Sequence, residues 1–233
     1  MPSSTVENYL KQIFMLQQRS AQHLVSMGKL AESVGVAPGT ATAMVKALAD
    51  SSLLSYEPRG GVRLSTSGEQ LALHVLRRHR LIELFLVEVL GLDWSEVHEE
   101  AEELEHAISD KVLEKMDHLL GHPTMDPHGD PIPTAMGQLK RMQLHSLAEC
   151  RPGQTVSIRR VSDQDPAFLQ FVHRNGLTPG MELQVIGSDT AADAVTVRPE
   201  GRSDVTVGRT AAAKVLVEET RSKEPQMHTD AHG

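Results

Sequence analysis

The spacing of hydrophobic residues changes once along this chain, and the change divides it into a helical part and a β part. Up to about residue 147 the apolar residues recur every three or four positions, the period of one face of an α-helix. Beyond that point they alternate or form short β-branched runs between glycine-containing turns. The sequence therefore predicts a mainly α protein with a small all-β domain at its C-terminal end.

The N-terminal segment, residues 1–65, has the pattern of a winged helix-turn-helix. Gly35 lies at the turn between two short helical patterns, and Pro38 begins the second of them. Two strand-like runs follow and enclose the turn at 58–61. Two short helices joined by a turn and followed by a hairpin form a DNA-binding fold. The predicted elements are helices at 6–17, at 27–34 and from 38, and strands at 53–56 and 62–64.

Two longer helices and a set of short strands are predicted beyond residue 65. The helices cover about 66–90, with Thr66 as the N-terminal cap, and about 96–120, with Ser95 as the cap. The following stretch, 122–133, contains four prolines and indicates a loop. Five strand-like runs between 155 and 217 indicate a small barrel of the SH3 kind with one inserted helix. The inserted helix is predicted at 166–175.

The net charge of −8 is unevenly distributed. Residues 1–80 carry nine Lys and Arg against five Asp and Glu, whereas residues 81–130 carry two against fourteen. The remaining residues are balanced, with twelve of each sign. A basic head that can approach a phosphate backbone thus precedes a strongly acidic middle that also contains several histidines.

The single cysteine, Cys150, excludes an intrachain disulfide and any cysteine-rich zinc module. We expect a buried or linker thiol there, since no second cysteine accompanies it. No stretch approaches the roughly 18 apolar residues of a membrane span. These features predict a cytoplasmic protein that has no membrane partner.

Two histidines and two carboxylates share one face of the predicted helix at 96–120. At about 100° per residue, His98, Glu102, Glu105 and His106 border the apolar stripe of that helix. The neighbouring acids point away from the stripe and form a solvated face. On the preceding helix His79 and Glu83 are four residues apart and also share a face. Together these six nitrogen and oxygen donors suit one or two divalent transition ions.

The donor set also favours particular metals. It lacks a cysteine, so the soft thiolate that favours zinc, copper or iron–sulfur chemistry is absent. Carboxylate-rich sites suit harder ions, which makes Mn²⁺ the first choice and Fe²⁺ the second.

Two enzyme classes use similar residues on paired helices. A di-metal carboxylate oxidase needs two Glu-x-x-His motifs, and only Glu103 to His106 has this spacing. A zinc protease needs His-Glu-x-x-His, but the run that begins at His98 ends in Glu102. A metal buffer built on the SH3-like domain is a further alternative, and the basic head argues against it.

The chain resembles the diphtheria-toxin-repressor and manganese-transport-regulator family over nearly its whole length. The resemblance rests on the winged helix followed by three motifs, and on residues 176–180, which resemble the ferrous-transport-A type of SH3-like module. The three motifs are HRLIE at 79–83, VHEEAEELEH at 97–106 and DPHGDPIP at 126–133.

The resemblance implies two ions per subunit. His79, Glu83 and His98 would form one site, and Glu102, Glu105 and His106 its neighbour. Asn8 on the first helix aligns with a further ligand of the second site, and Asp165 with an acid that longer members contribute from the SH3-like module. At the position of Glu102, manganese-type members have a glutamate and iron-type members have a cysteine, so the resemblance favours manganese for this chain. Asn8 departs from both types, which place an aspartate or a methionine there.

The resemblance further implies a transcription regulator rather than an enzyme, with no small-molecule substrate. We expect a homodimer that binds palindromic double-stranded operator DNA when metal is bound and represses metal-uptake genes. An iron(II)-responsive regulator of the same family is the alternative. The residues expected to contact DNA lie on the recognition helix and the wing: Pro38, Thr40, Thr42, Ala43, Lys46 and Arg59.

The implied domains are a winged-helix domain at 1–65 and a metal-binding and dimerisation domain at 66–140. A linker at 141–150, an SH3-like domain at 151–220 and a disordered tail at 221–233 complete the chain.

Overall fold

A computed structural model describes residues 3–20 and 24–220, which form two compact units. The first unit contains the described residues up to 127, together with 131–141. The second contains 128–130 and the described residues from 142 onwards. The tail predicted as disordered, 221–233, lies outside the described residues.

The first unit begins with a winged helix-turn-helix, as predicted. Its helices are α1 (Ser4–Gln18), α2 (Met27–Ser33) and α3 (Pro38–Asp50), and its wing is the antiparallel hairpin of β1 (Leu54–Glu57) and β2 (Gly61–Leu64). Helix α3 turns Ala41, Val45 and Leu48 into a core that also contains Leu10 and Ile13 of α1. The exposed face of α3 is therefore set by the apolar core into which its other face packs.

Three further helices complete the first unit: α4 (Thr66–Glu88), α5 (Val97–Leu104) and α6 (Asp110–Leu119). The predicted cap of α4 was wrong by one residue, since the hydroxyl of Ser65 accepts the N–H of Gly68 at 3.1 Å. Helices α4 and α5 pack through an apolar cluster that aligns their polar faces. Its buried members are Ile82, Leu86, Val97, Ala101 and Met116.

The single helix predicted at 96–120 was wrong, because the structure divides it into α5 and α6. Helix α5 ends at Leu104, and Ser109 begins α6 by accepting the N–H of Val112 through its hydroxyl. Serine favours the N-terminal cap because its oxygen satisfies an unpaired backbone donor. The prediction that Ser95 caps α5 was wrong, because its hydroxyl donates to Asp93 instead.

The second unit is a six-stranded antiparallel sheet with two short helices, consistent with the predicted SH3-like fold. Its strands are β3 (His145–Ser146), β4 (Thr155–Val161), β5 (Glu182–Asp189), β6 (Ala194–Pro199), β7 (Val205–Gly208) and β8 (Val215–Glu219), in the spatial order β3-β8-β4-β5-β6-β7. Irregular registers in β4 and β5 allow the sheet to bend. The helices are α7 (Pro166–Arg174), which was predicted, and α8 (Arg209–Ala212).

Part of the predicted linker at 141–150 belongs to this sheet. Strand β3 pairs with β8, and a 3₁₀ turn at Leu147–Glu149 follows it. Cys150 is buried next to this turn, and burial, with the nearby Glu219 and Glu149, raises the pKa of its thiol to about 11. A thiol with this pKa is protonated and unreactive at neutral pH.

Within the part of the chain that the structure describes, no helix combines the length and apolar character needed to cross a membrane.

Substitution of Gly68 by alanine tests the close approach between α4 and the wing. A Cβ at this position would lie 1.9 Å from the carbonyl oxygen of Leu53, so the two backbones must separate. We expect Gly68→Ala to lower the free energy of unfolding by about 2 kcal/mol, measured by urea denaturation of the full chain. Gly28→Ala in α2 is the matched control, because the space around Gly28 is open. Equal stability of the two variants would contradict this packing.

Candidate metal centre

Three predicted ligands come together where α4 packs against α5. His79 and Glu83 lie on α4, and His98 lies on α5. The Nε2 atom of His79 lies 3.0 Å from Glu83 Oε1 and 3.1 Å from His98 Nδ1. Glu83 Oε1 and His98 Nδ1 are 3.2 Å apart. His79 and Glu83 are buried, and His98 is partly exposed. We refer to His79, Glu83 and His98 as the triad.

The separations within the triad fit a transition-metal ion. An ion about 2.1 Å from each donor requires donors about 3.0 Å apart if its bonds meet at right angles, and about 3.4 Å apart in a tetrahedron. The observed distances are close to the first value. The triad could thus hold a divalent ion through three adjacent nitrogen and oxygen donors, a donor set that suits a hard or borderline transition ion.

Glu105 contacts the ring nitrogen of His79 that faces away from the other triad donors, and it thereby orients the imidazole. Its Oε2 accepts the Nδ1–H of His79 at 2.8 Å, and its side chain is fully buried. A carboxylate in this position fixes the orientation of the imidazole and directs Nε2 towards a metal. Burial alone would lower the pKa of His79, but the carboxylates of Glu83 and Glu105 raise it to about 9. An ion that binds Nε2 must therefore displace a proton.

The carboxylates of Glu102 and Glu105 contact a lysine that the sequence analysis did not select. The ammonium of Lys11, on α1, donates to Glu102 Oε1 at 2.8 Å and to Glu105 Oε1 at 2.5 Å. Burial alone would raise the pKa of Glu102, but Lys11 lowers it below its usual range. His79 Nδ1 also lies 3.8 Å from Glu102 Oε1, so these carboxylates adjoin the triad.

His106 and Asn8 meet at the end of the same group. His106 Nε2 lies 2.8 Å from Asn8 Oδ1 and 3.4 Å from Glu105 Oε1. The other nitrogen, Nδ1, donates to Glu7 Oε2 at 2.7 Å. Glu7 therefore orients His106 in the way that Glu105 orients His79. The structure thus brings Asn8, Glu102, Glu105 and His106 into one continuous set of contacts, with Lys11 between the two glutamates.

The sequence of α1 contains a signal for Glu7 and Lys11, the two residues of this group that were not predicted as site residues. Glu7 and Lys11 are four positions apart, so they share a face of the helix, and that face adjoins the buried Leu10 and Phe14. Charged side chains at the border of an apolar stripe need partners. The partners lie about 90 residues further along the chain, and α1 alone does not identify them.

Asp165 belongs to the second unit and has a structural role there. It is the N-terminal cap of α7, and its Oδ1 accepts the N–H of Phe168 at 2.8 Å. This contact accounts for one carboxylate oxygen, and the assignment of Asp165 as a metal ligand stays a prediction.

The residues predicted to contact DNA lie on α3 and at the tip of the wing. Pro38, Thr40, Ala43 and Lys46 are exposed on α3. Thr42 is partly exposed, and its hydroxyl donates to the carbonyl oxygen of Pro38 at 2.8 Å. Arg59 is exposed in the turn between β1 and β2. Two cations and several small side chains thus occupy one accessible helix and its neighbouring hairpin.

Three family models match successive parts of the chain. The N-terminal DNA-binding domain of iron-dependent repressors matches residues 1–62, and their metal-binding and dimerisation domain matches residues 65–134. The FeoA domain matches residues 145–219.

Relatives and solved structures align over most of the chain. The iron-dependent repressor IdeR of Mycobacterium tuberculosis strain H37Rv is 30% identical over 226 residues, which cover 92% of this chain and 96% of the relative. The diphtheria toxin repressor of Corynebacterium jeikeium is 31% identical over 70% of this chain and 68% of its own. The structure of a manganese-dependent transcriptional repressor in complex with manganese is 39% identical, with a TM-score of 0.85 over 92% of this chain and 100% of that one.

These matches cover, in the same order as in this chain, the winged-helix domain (which we call the reading head), the helical part that contains the triad, and the C-terminal sheet. The chain therefore belongs to the diphtheria-toxin-repressor and manganese-transport-regulator family of metal-dependent repressors.

Proposed function

We propose that this chain is a cytoplasmic manganese-responsive repressor, whose homodimer binds palindromic operator DNA when divalent ions occupy the centre between its helices. The observation that carries the proposal is the triad, whose three donor atoms lie 3.0 to 3.2 Å from one another. The donors come from two helices of the proposed metal-binding and dimerisation domain, residues 66–140.

The preference for manganese rests on the donor chemistry. The triad and the neighbouring carboxylates offer nitrogen and oxygen but no sulfur, which suits Mn²⁺ and, next, Fe²⁺. A similar solved structure is described as a repressor in complex with manganese, whereas the IdeR relatives are described as iron-dependent. The centre contains Glu102 where a cysteine would favour iron, and this glutamate favours manganese.

Helix α1 links the metal centre to the reading head. One side of α1 carries Asn8 and Lys11 against the centre, and its apolar side contributes to the core that also contains the buried face of α3. A bound ion supplies positive charge that draws the carboxylates of Glu83, Glu102 and Glu105 together. Because α1 shares contacts with both regions, ion binding favours one position of α3 over others.

An exposed apolar surface in the first unit suits a second copy of the chain. Large hydrophobic side chains near the end of α4, on α5 and on α6 remain 36% to 65% exposed in the single chain. Exposed apolar surface of this kind marks an interface. In a symmetric dimer two copies of α3 can enter successive major grooves about 34 to 36 Å apart. The residues concerned are Val89, Leu90, Leu104, Val112 and Leu119.

Removal of the metal is the direct test of this function. We expect chelator-stripped protein to lose most of its affinity for the promoter upstream of its own gene or of a neighbouring transporter gene, and added Mn²⁺ to restore it. Glu83→Gln removes one donor at nearly constant volume, so we expect manganese affinity to fall at least about tenfold and promoter binding to fall with it. Calorimetry and gel shifts measure the two effects.

Glu99→Gln is the matched control for this test. Glu99 is exposed on α5 and lies outside the triad, so its substitution changes the charge equally but removes no donor. Promoter binding by stripped wild-type protein as tight as that of the manganese-loaded form would refute the proposed function.

The choice of metal is tested at Glu102. We expect Glu102→Cys to shift binding preference from Mn²⁺ towards softer ions such as Cd²⁺, because a thiolate replaces a carboxylate oxygen. Competition titrations of the two ions measure the ratio, and Glu103→Cys on the exposed side of the same helix is the control. Unchanged selectivity would count against Glu102 as a ligand.

The DNA contacts are tested through salt dependence. Each lysine or arginine that neutralises a phosphate contributes about −0.9 to the slope of log K against log salt. We therefore expect Lys46→Ala and Arg59→Ala each to reduce the magnitude of this slope by about one for the manganese-loaded protein. Lys115→Ala on the exposed side of α6 should leave the slope unchanged. Wild-type slopes for both test variants would place these side chains outside the interface.

A further inference from the structure

Lys11 places its ammonium group inside the proposed metal centre. Its side chain is 2% exposed, and its ammonium contacts Glu102 Oε1 and Glu105 Oε1. A buried ammonium requires paired carboxylates, and a buried carboxylate requires a cation. Glu105 is fully buried, so Lys11 supplies the charge that this carboxylate needs when no metal is present.

The two oxygens that bind Lys11 belong to the proposed ligands of the second ion. A divalent ion would lie about 2.1 Å from the same oxygens. The Lys11 nitrogen lies 2.8 Å from the first oxygen and 2.5 Å from the second. Two cations held by one pair of oxygens come within a few ångströms of each other, where their repulsion is large in a buried site. The ion and the ammonium therefore exclude each other.

We propose that Lys11 is a built-in competitor for the second metal site: its ammonium occupies the Glu102 and Glu105 carboxylates in the metal-free chain, and a divalent ion enters only by displacing it. This inference rests on the proposed function, because it concerns the second of the two ions. The displaced side chain is long and flexible, so its ammonium reaches water by rotation about its own bonds.

Competition of this kind gives the two sites different affinities. The donor atoms of the triad lie 3.0 to 3.2 Å from one another, whereas the Lys11 ammonium contacts Glu102 and Glu105, so an ion can bind the triad without displacing the ammonium. The second ion must displace it and therefore binds at a higher metal concentration. Lys11 thereby sets the threshold at which the contact between α1 and α5 changes from an ion pair to a metal-bridged one.

Manganese titration of Lys11 variants tests the competition. Lys11→Met removes the charge and keeps a long apolar stem, so we expect the weaker of the two binding steps to strengthen by about tenfold or more. Lys11→Arg retains the charge and should keep the weaker step weak. Lys29→Met, at an exposed position on α2, is the matched control. A wild-type protein that binds one ion and a Lys11→Met variant that binds two would also support the proposal, because the second site would then open only when the ammonium is removed.

Thermal unfolding without metal provides a readout that is independent of DNA binding. We expect Lys11→Met to unfold at a lower temperature than wild type in chelator, because Glu102 and Glu105 lose their cation, and to gain more from added Mn²⁺. A folded Lys11→Met protein whose weaker binding step and stability in chelator both equal those of wild type would overturn the proposal.

A measurement on the wild-type chain covers the case in which the variants do not fold. With ¹⁵N-labelled lysine and diamagnetic Zn²⁺, the buried Lys11 ammonium should give a slowly exchanging signal in metal-free protein that disappears when the second ion binds. Persistence of this signal at full occupancy of both sites would refute displacement.

The same titrations separate this inference from the proposed function. Absence of any metal step that depends on Glu83 would refute the proposed function itself. A normal Glu83-dependent step, with a second step that is insensitive to Lys11, would refute the inference alone.

Discussion

The proposed metal centre depends on the contacts of one fully buried carboxylate, that of Glu105. One of its oxygens accepts from His79 on α4, and the other binds Lys11 on α1. Three helices therefore meet at one side chain. A buried charge is tolerated only where such partners surround it, and the partners in turn are held in fixed orientations. The triad owes the direction of its central imidazole to this arrangement.

The same group of contacts joins regions that are distant in sequence. Lys11 and Glu105 are 94 residues apart, and His106 and Glu7 are 99 apart. These polar contacts lie on one side of α1, while Leu10 and Ile13 pack in the core of the reading head. A rotation or shift of α1 would thus alter both the core that holds α3 and the distances in the proposed metal centre, which is the coupling that a metal-dependent repressor requires.

Much of the fold, and the shared helix face of two triad residues, could be predicted because they depend on local sequence patterns. Apolar periodicity identified all of the longer helices, and alternation identified most strands of the second unit. The spacing of His79 and Glu83 placed both on one helix face. The break between α5 and α6 was missed because acidic and apolar residues continue a helical pattern across it, whereas a single serine cap at Ser109 decides the break.

The contacts of Lys11 and Glu7 could not be predicted because their partners lie on other helices. A lysine beside an apolar stripe is usually a solvated side chain whose stem covers the core. Only the packing of α1 on α4 and α5 turns its ammonium inwards onto two carboxylates. The His145–Ser146 strand within the predicted linker was missed for a similar reason, since two residues carry no periodicity and only their pairing with β8 defines them.

The charges of the two proposed sites give the centre an internal order. The triad contains one carboxylate, from Glu83, and two imidazoles that become neutral when they bind metal. The second group contains two carboxylates, but Lys11 offsets one of these charges, and Asn8 contributes an uncharged oxygen. A divalent ion thus meets a similar net negative charge in both places, but it must displace a proton from His79 in the first place and the Lys11 ammonium in the second. The difference between the sites therefore lies in the cation that each must release: a proton that leaves to the solvent in the first, and a tethered side chain that stays nearby in the second.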